Sequence, residues 1–97
     1  MDNVKRYSSF IKRILTAPDP IRKHMLKTSN LNIIKAISEI ILNVVEKNIT
    51  LPTTALKKLK KHKKVIYSIV DSKGFEARRY ILIKNSQLLP ILIPLFK

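Results

Sequence analysis

Cysteine and tryptophan are both absent from the 97-residue chain. No disulfide framework, thiolate metal site or cysteine nucleophile is therefore available, and nothing argues against a reducing compartment. Glycine occurs once, as Gly74. That excludes a glycine-rich phosphate loop and a nucleophile elbow, and it argues against an all-β fold, whose turns need several glycines. Carboxylates are few and scattered: Asp2, Asp19, Glu39, Glu46, Asp71 and Glu76. Glu39 and Glu46 would share a helix face two turns apart, but with Lys35 and Asn43 beside them they read as solvated residues and not as a catalytic pair. His24 and His62 are distant in sequence, with no Asp or Glu at ligand spacing. No catalytic residue, metal site or cofactor is expected. Long apolar runs are missing too. Asp2, Lys5, Arg6, Lys12 and Arg13 interrupt the first twenty residues, against a secretory signal. The stretch Gln87 to Phe96 contains Pro90 and Pro94 and is half the ~20 residues a membrane helix needs.

What the chain does have is base. Twenty Lys+Arg against six Asp+Glu leave a formal charge of +14, more than solubility requires, so an anionic partner is expected. Because 45% of residues are hydrophobic, the chain should fold, unlike a disordered basic tail. Its length allows one core.

With so little glycine, helices are the natural reading, punctuated by the prolines. The expected fold is all-α, a small single-domain bundle of four or five short helices, with a helical basic domain over residues 1–86 and an apolar C-terminal tail over 87–97. From Val4 to Leu15, Tyr7, Phe10, Ile11, Ile14 and Leu15 fall at helical spacing. After Pro18 and Pro20, Ile21 to Lys27 forms a short helix with Met25 and Leu26 inward and Arg22, Lys23 and Lys27 outward. Ser29 or Asn30 caps the clearest element, a core helix running to about Asn48 with Ile33, Ile34, Ile37, Ile40, Ile41, Val44 and Val45 in one stripe. Thr53 or Thr54 caps the next, running to about Val70. There Ala55, Leu56, Leu59, Ile66, Ile69 and Val70 face inward, and Lys57, Lys60, Lys61 and Lys64 lie opposite. Phe75 to about Asn85 is read as helical, although Tyr80 to Ile83 would also suit a strand.

The sharpest feature is the run Lys57, Lys58, Lys60, Lys61, Lys63, Lys64, six lysines in eight residues, with no acid between Glu46 and Asp71. Held on one helix, four of them make a ridge that can follow phosphates and release their counterions. Lysine outnumbers arginine by 15 to 5. Lysine is a point charge suited to phosphate contacts, whereas arginine reads guanine edges, so little sequence specificity is expected. Arg78 and Arg79 form a second, smaller basic site, and Arg22, Lys23 and Lys27 extend the surface. Tyr80, beside that pair, is expected in the core or at its edge, and His62 at a core margin. The tail residues Leu88, Leu89, Ile91, Leu92, Ile93, Leu95 and Phe96 must be covered by the domain, a partner or a membrane interface.

Several stretches together resemble a known group: Pro18 to Lys27, Ile34-x-Ala36-Ile37-x-Glu39-Ile40-x-Leu42-Asn43-Val44, Asn48-Ile49-x-Leu51, the lysine cluster, and Leu88-Leu89-x-Ile91-Leu92-x-Pro94-Leu95. Over roughly residues 11 to 96 the chain resembles the short basic proteins of animal Polinton (Maverick) elements and adintoviruses. That resemblance implies a virion-associated protein, a DNA-packaging core component, located in the virion and/or host nucleus. Two departures stand out. Members carry a glycine pair where this chain has Asn85-Ser86, so a flexible tail is not implied, and they are richer in arginine where this chain has lysine.

The expectation is therefore a non-enzymatic, largely sequence-nonspecific DNA-binding and condensing protein, with duplex DNA as the favoured nucleic acid. A homodimer is conceivable, as is contact of the tail with a capsid protein or membrane. The rival readings are a membrane-active, lytic, capsid-internal cationic protein and an RNA-binding or ribosomal-type protein.

Overall fold

Each proline of the N-terminal half stands where a helix begins. The computed structural model describes residues 2–46 and 51–96. It contains α1 (Asp2–Thr16), α2 (Asp19–Thr28), α3 (Leu31–Val45), α4 (Thr53–Lys61), α5 (Lys63–Asp71), α6 (Phe75–Lys84) and a closing 3₁₀ segment (Ser86–Phe96). No strand occurs among the described residues, so the all-α expectation holds. There are more helices than four or five because the element expected from Thr53 to Val70 is two helices and the tail is itself helical. The expected extension of the core helix to Asn48 lies outside the described residues.

Local chemistry accounts for the boundaries. Pro18 precedes α2 and Pro20 sits in its first turn, where a missing N–H costs nothing. Of the two candidates before α3, Asn30 is the cap, its side chain accepting from Ile33 N–H at 3.1 Å. Pro52 takes the same position before α4 and makes no side-chain cap, so neither Thr53 nor Thr54 serves as expected. Gly74 has φ +86° and ψ 152°, a region open in practice only to glycine, and it turns the chain into α6.

α3 is the central element. Ile33, Ile34, Ala36, Ile37, Ile40, Ile41 and Val44 are all buried, and α1, α5 and α6 pack around it. Ser38, also buried, returns its hydroxyl to Ile34 O at 2.8 Å. Ile11, Ile14 and Leu15 of α1, Leu26 of α2, Leu59 of α4, Ile66 and Ile69 of α5 and Leu82 of α6 complete the core.

The tail belongs to this core. Ser86, Leu89 and Leu92 are its buried residues, three apart, and a helix of 3.0 residues per turn stacks such positions on one side. Ile91, Ile93, Leu95 and Phe96 are half-buried and pack against the core, and Leu88 is half-buried. The segment lies against α1, α2 and α4. A Cα radius of gyration of 12.1 Å, against about 12.5 Å for a globule of this length, leaves no room for an extended arm.

Two arginines expected on the outer surface are structural. Arg22 is 6% exposed. Its Nε donates to Ile14 O at 2.9 Å, Nη2 to Leu15 O at 3.2 Å and to Ala17 O, and Nη1 to Ser86 O at 3.2 Å and Asp19 Oδ1 at 3.1 Å. It thus caps the C-terminus of α1 from within α2 and ties both to the tail. Arg79 repeats the device: Nη1 donates to the carbonyls of Leu26, Lys27 and Ser29 at 2.7, 3.1 and 2.7 Å, capping α2 from α6, and its Nε pairs with Glu76 at 3.3 Å. A helix C-terminus leaves carbonyls unsatisfied and carries partial negative charge, and a guanidinium answers both.

Asp19 closes the cluster. Ser86 Oγ donates to Asp19 Oδ1 at 2.6 Å, and Lys23 Nζ lies 3.5 Å from Oδ2. The Ser86 hydrogen bond, followed by the charges of Lys23 and Arg22, holds the carboxyl below its ordinary value against the opposing effect of desolvation. A carboxyl depressed in the folded state adds stability that is complete above its unfolded value and is lost as pH falls through and below the carboxylate range. Urea midpoints should therefore decline between about pH 5 and 2, and Asp19→Asn should flatten that decline relative to the parent chain. An unchanged acid limb in the variant would rule the linkage out.

Candidate nucleic-acid interface

All six lysines of the run, Lys57, Lys58, Lys60, Lys61, Lys63 and Lys64, are exposed. They are not on one helix. At His62 (φ −110°, ψ 31°) the chain closes a tight turn, His62 N–H bonding to Leu59 O at 3.0 Å, and α5 restarts with Ile66 N–H on His62 O at 3.1 Å. Four lysines end α4 and two begin α5, so the expected straight ridge is a corner. At 100° per residue, Lys60, Lys57, Lys61 and Lys58 span an arc of about 160° on α4, opposite Ala55 and Leu59. His62 is exposed at the joint, not at a core margin as expected, because a helical wheel does not extend through a break.

The arrangement is unfavourable for folding taken alone. Lys63 and Lys64 are the first two residues of α5, at the positive end of its dipole, and neither α4 nor α5 has an acid in its first turn. Each such charge costs about 0.3–1 kcal/mol, and like charges one turn apart, such as Lys57 and Lys61, add about 0.2–0.5 kcal/mol per pair. Among the described residues, ion pairs join Asp19 to Arg22 and Lys23 and Glu76 to Arg79, and none involves the run. As the first residues of α5, Lys63, Lys64 and Val65 find no carbonyl partner for their N–H groups within that helix.

The remaining expected site residues divide. Arg22 and Arg79 are committed to helix ends. Lys23 is exposed and pairs with Asp19, and Lys27 is exposed. Arg78 is half-buried, its guanidinium carbon 5.1 Å from the centroid of Phe75, and its Nε is buried with no hydrogen-bond partner. Unlike Arg79, it donates to no protein acceptor among the described residues. Tyr80, expected in or beside the core, is 66% exposed.

A cavity of about 20 Å³ lies beneath the joint, lined by Ile41, Leu59, Ile66, Leu82, Leu89 and Leu92 among others. Ligand pockets run to about 300 Å³ and more. Among the described residues no three His, Asp or Glu side chains gather as a metal site, and no helix is long and apolar enough to cross a membrane. The chain matches no family model, curated protein or solved structure.

Proposed function

We propose that the protein binds nucleic acid through its phosphate backbone, without catalysis and with little sequence specificity, and that long duplex DNA is its first ligand. The observation that carries this reading is the placement of Lys63 and Lys64 at the head of α5, next to four more lysines and with no ion pair to any carboxylate among the described residues. Natural chains break local rules where function requires it. A phosphate at the joint would turn each unfavourable term into a favourable one. Lysine, not arginine, supplies the charge, and a flexible ammonium suits phosphates better than base edges. Lys23, Lys27 and Arg78 extend the contact surface; Arg22 and Arg79 do not take part. The resemblance to Polinton and adintovirus basic proteins supplies the proposed setting, a virion core in which DNA is condensed.

A membrane-active role would require the tail to leave the core it completes, so the lysine surface alone supports that reading. Structured RNA differs from duplex DNA by the depth of its groove and not by its charge, and only competition separates the two.

Replacing Lys60, Lys61, Lys63 and Lys64 together by glutamine should reduce the slope of log K against log salt by about 3–4 on duplex DNA, since each phosphate contact contributes about 0.9. The same variant should melt at or above the parent temperature, because repulsion and the adverse dipole contacts are removed. A salt series with duplex DNA, structured RNA and anionic vesicles provides the measurement. Salt-independent binding, or an unchanged slope in the variant, overturns the reading.

A further inference from the structure

Within the cationic corner stands one aromatic ring that the core does not need. Tyr67 is 44% exposed. It follows Lys63 by four residues and Lys64 by three, so both lysines lie about one turn away on its face of α5. Lys63 Nζ sits 5.6 Å from its ring centroid, within cation–π range, and its hydroxyl makes no hydrogen bond among the described residues. Tyr7, by contrast, is half-buried against the core and its hydroxyl accepts from Asn32 at 3.5 Å. Tyr80 is more exposed but lies on α6, whose Arg79 is spent on α2. Tyr67 is thus the ring that shares a helix face with lysines that form no ion pair among the described residues, although Asp71 stands one turn further along α5.

We propose that Tyr67 is a stacking platform for an unpaired base, and that the corner formed by α4 and α5 takes single-stranded nucleotides more tightly, phosphate for phosphate, than duplex. This rests on the phosphate-binding reading above and revises its ligand preference: duplex DNA is held by phosphate contacts alone, a single strand by phosphate contacts and one stacked base. In a duplex, bases are stacked on each other and only phosphates reach the exposed lysines. In a single strand, a base is free to lie on the phenol ring while Lys63 and Lys64 hold the flanking phosphates. Every base has a π-face, so the contact adds affinity without adding sequence specificity. Stacking on an aromatic side chain is worth roughly 5- to 150-fold in affinity per base.

The test compares a labelled oligothymidylate, an abasic oligomer and a hairpin duplex of equal phosphate number by fluorescence anisotropy at one low salt concentration. The parent chain is set against Tyr67→Leu and Tyr67→Phe. Tyr67→Leu is expected to weaken oligothymidylate binding roughly 5- to 150-fold, to leave duplex and abasic affinities within about twofold, and to leave the salt slope unchanged. Tyr67→Phe should retain parent behaviour. Because Tyr67 is half exposed, thermal melts of both variants should match the parent and so separate lost stacking from lost fold. Equal losses on all three ligands, or no loss on oligothymidylate, overturn the stacking role while leaving phosphate binding intact. Weakening confined to anionic vesicles in a parallel titration overturns it in favour of a lipid interface. Failure of every nucleic acid to bind the parent chain defeats the broader reading instead.

Discussion

Arg22→Met should lower the unfolding free energy by about 3–5 kcal/mol, the range found when one partner of a buried charge network is removed. Methionine preserves much of the stem volume, so the loss measures the guanidinium. Four carbonyls depend on it: Ile14, Leu15 and Ala17 at the end of α1, and Ser86 at the start of the tail. Each buried acceptor left without a donor costs about 1–3 kcal/mol, and water reaching some of them keeps the total below the sum. Asp19 retains Ser86 and Lys23, so it is not stranded. Against a typical total of 5–15 kcal/mol for a domain, this loss should shift Tm downward by roughly 15–30 °C. Arg22→Lys should recover only part of it, since one ammonium cannot reach carbonyls on several sides of a planar fork. Arg79→Met should cost less, because its site is nearer the surface. Nucleic-acid affinity of folded Arg22→Met should match the parent; a specific loss of binding at unchanged Tm would return Arg22 to the interface.

The positions of both arginines were in principle readable. Arg22, Met25, Leu26 and Ser29 fall at i, i+3, i+4 and i+7, and Phe75, Arg79 and Leu82 fall at a similar spacing, so each arginine stands within the inward stripe of its helix. The usual preference of charge for solvent outweighed the period, and what resolved the conflict was tertiary: a neighbouring helix ends at that point and exposes carbonyls. α3 was legible because its apolar positions are too many for a surface helix, and only burial from several sides accommodates them. Asn30 and Ser29 were equivalent as caps on residue type alone; the geometry of one side chain separates them.

The break at His62 had no clear signature. Leu59 and Ile66 are seven residues apart and face the core whether or not the helix is continuous, so the apolar pattern is indifferent to it. Charge repulsion along the lysine run favours a break without fixing its position. Consequently the six site residues were legible by number and the corner they form was not. Tyr67 was obscured in the same way. Its neighbours Ile66 and Ile69 mark α5 as a core helix, and only the exposure of the ring separates it from them.

Truncation before Gln87 should abolish the cooperative fold. It would remove Leu89 and Leu92, 4% and 2% exposed, together with the half-buried Ile91, Ile93, Leu95 and Phe96 that cover the adjoining faces of α1 and α4. One buried leucine reduced to alanine costs about 2–5 kcal/mol, and two lost with their surroundings approach or exceed the whole stability of a small domain. The truncated chain should therefore show reduced helical ellipticity and no sigmoidal melt, whereas Leu92→Ala should melt cooperatively about 10–25 °C below the parent. A truncated chain that melts within about 5 °C of the parent would mean the tail contributes nothing to the core. Removing the tail is for the same reason a poor way to divide nucleic-acid binding from membrane activity, since both would fall with the fold. Leu92→Ala, studied well below its Tm, makes that division. A membrane role that needs the tail released should be enhanced by a core that holds it less firmly, while phosphate binding through α4 and α5 should be indifferent to it.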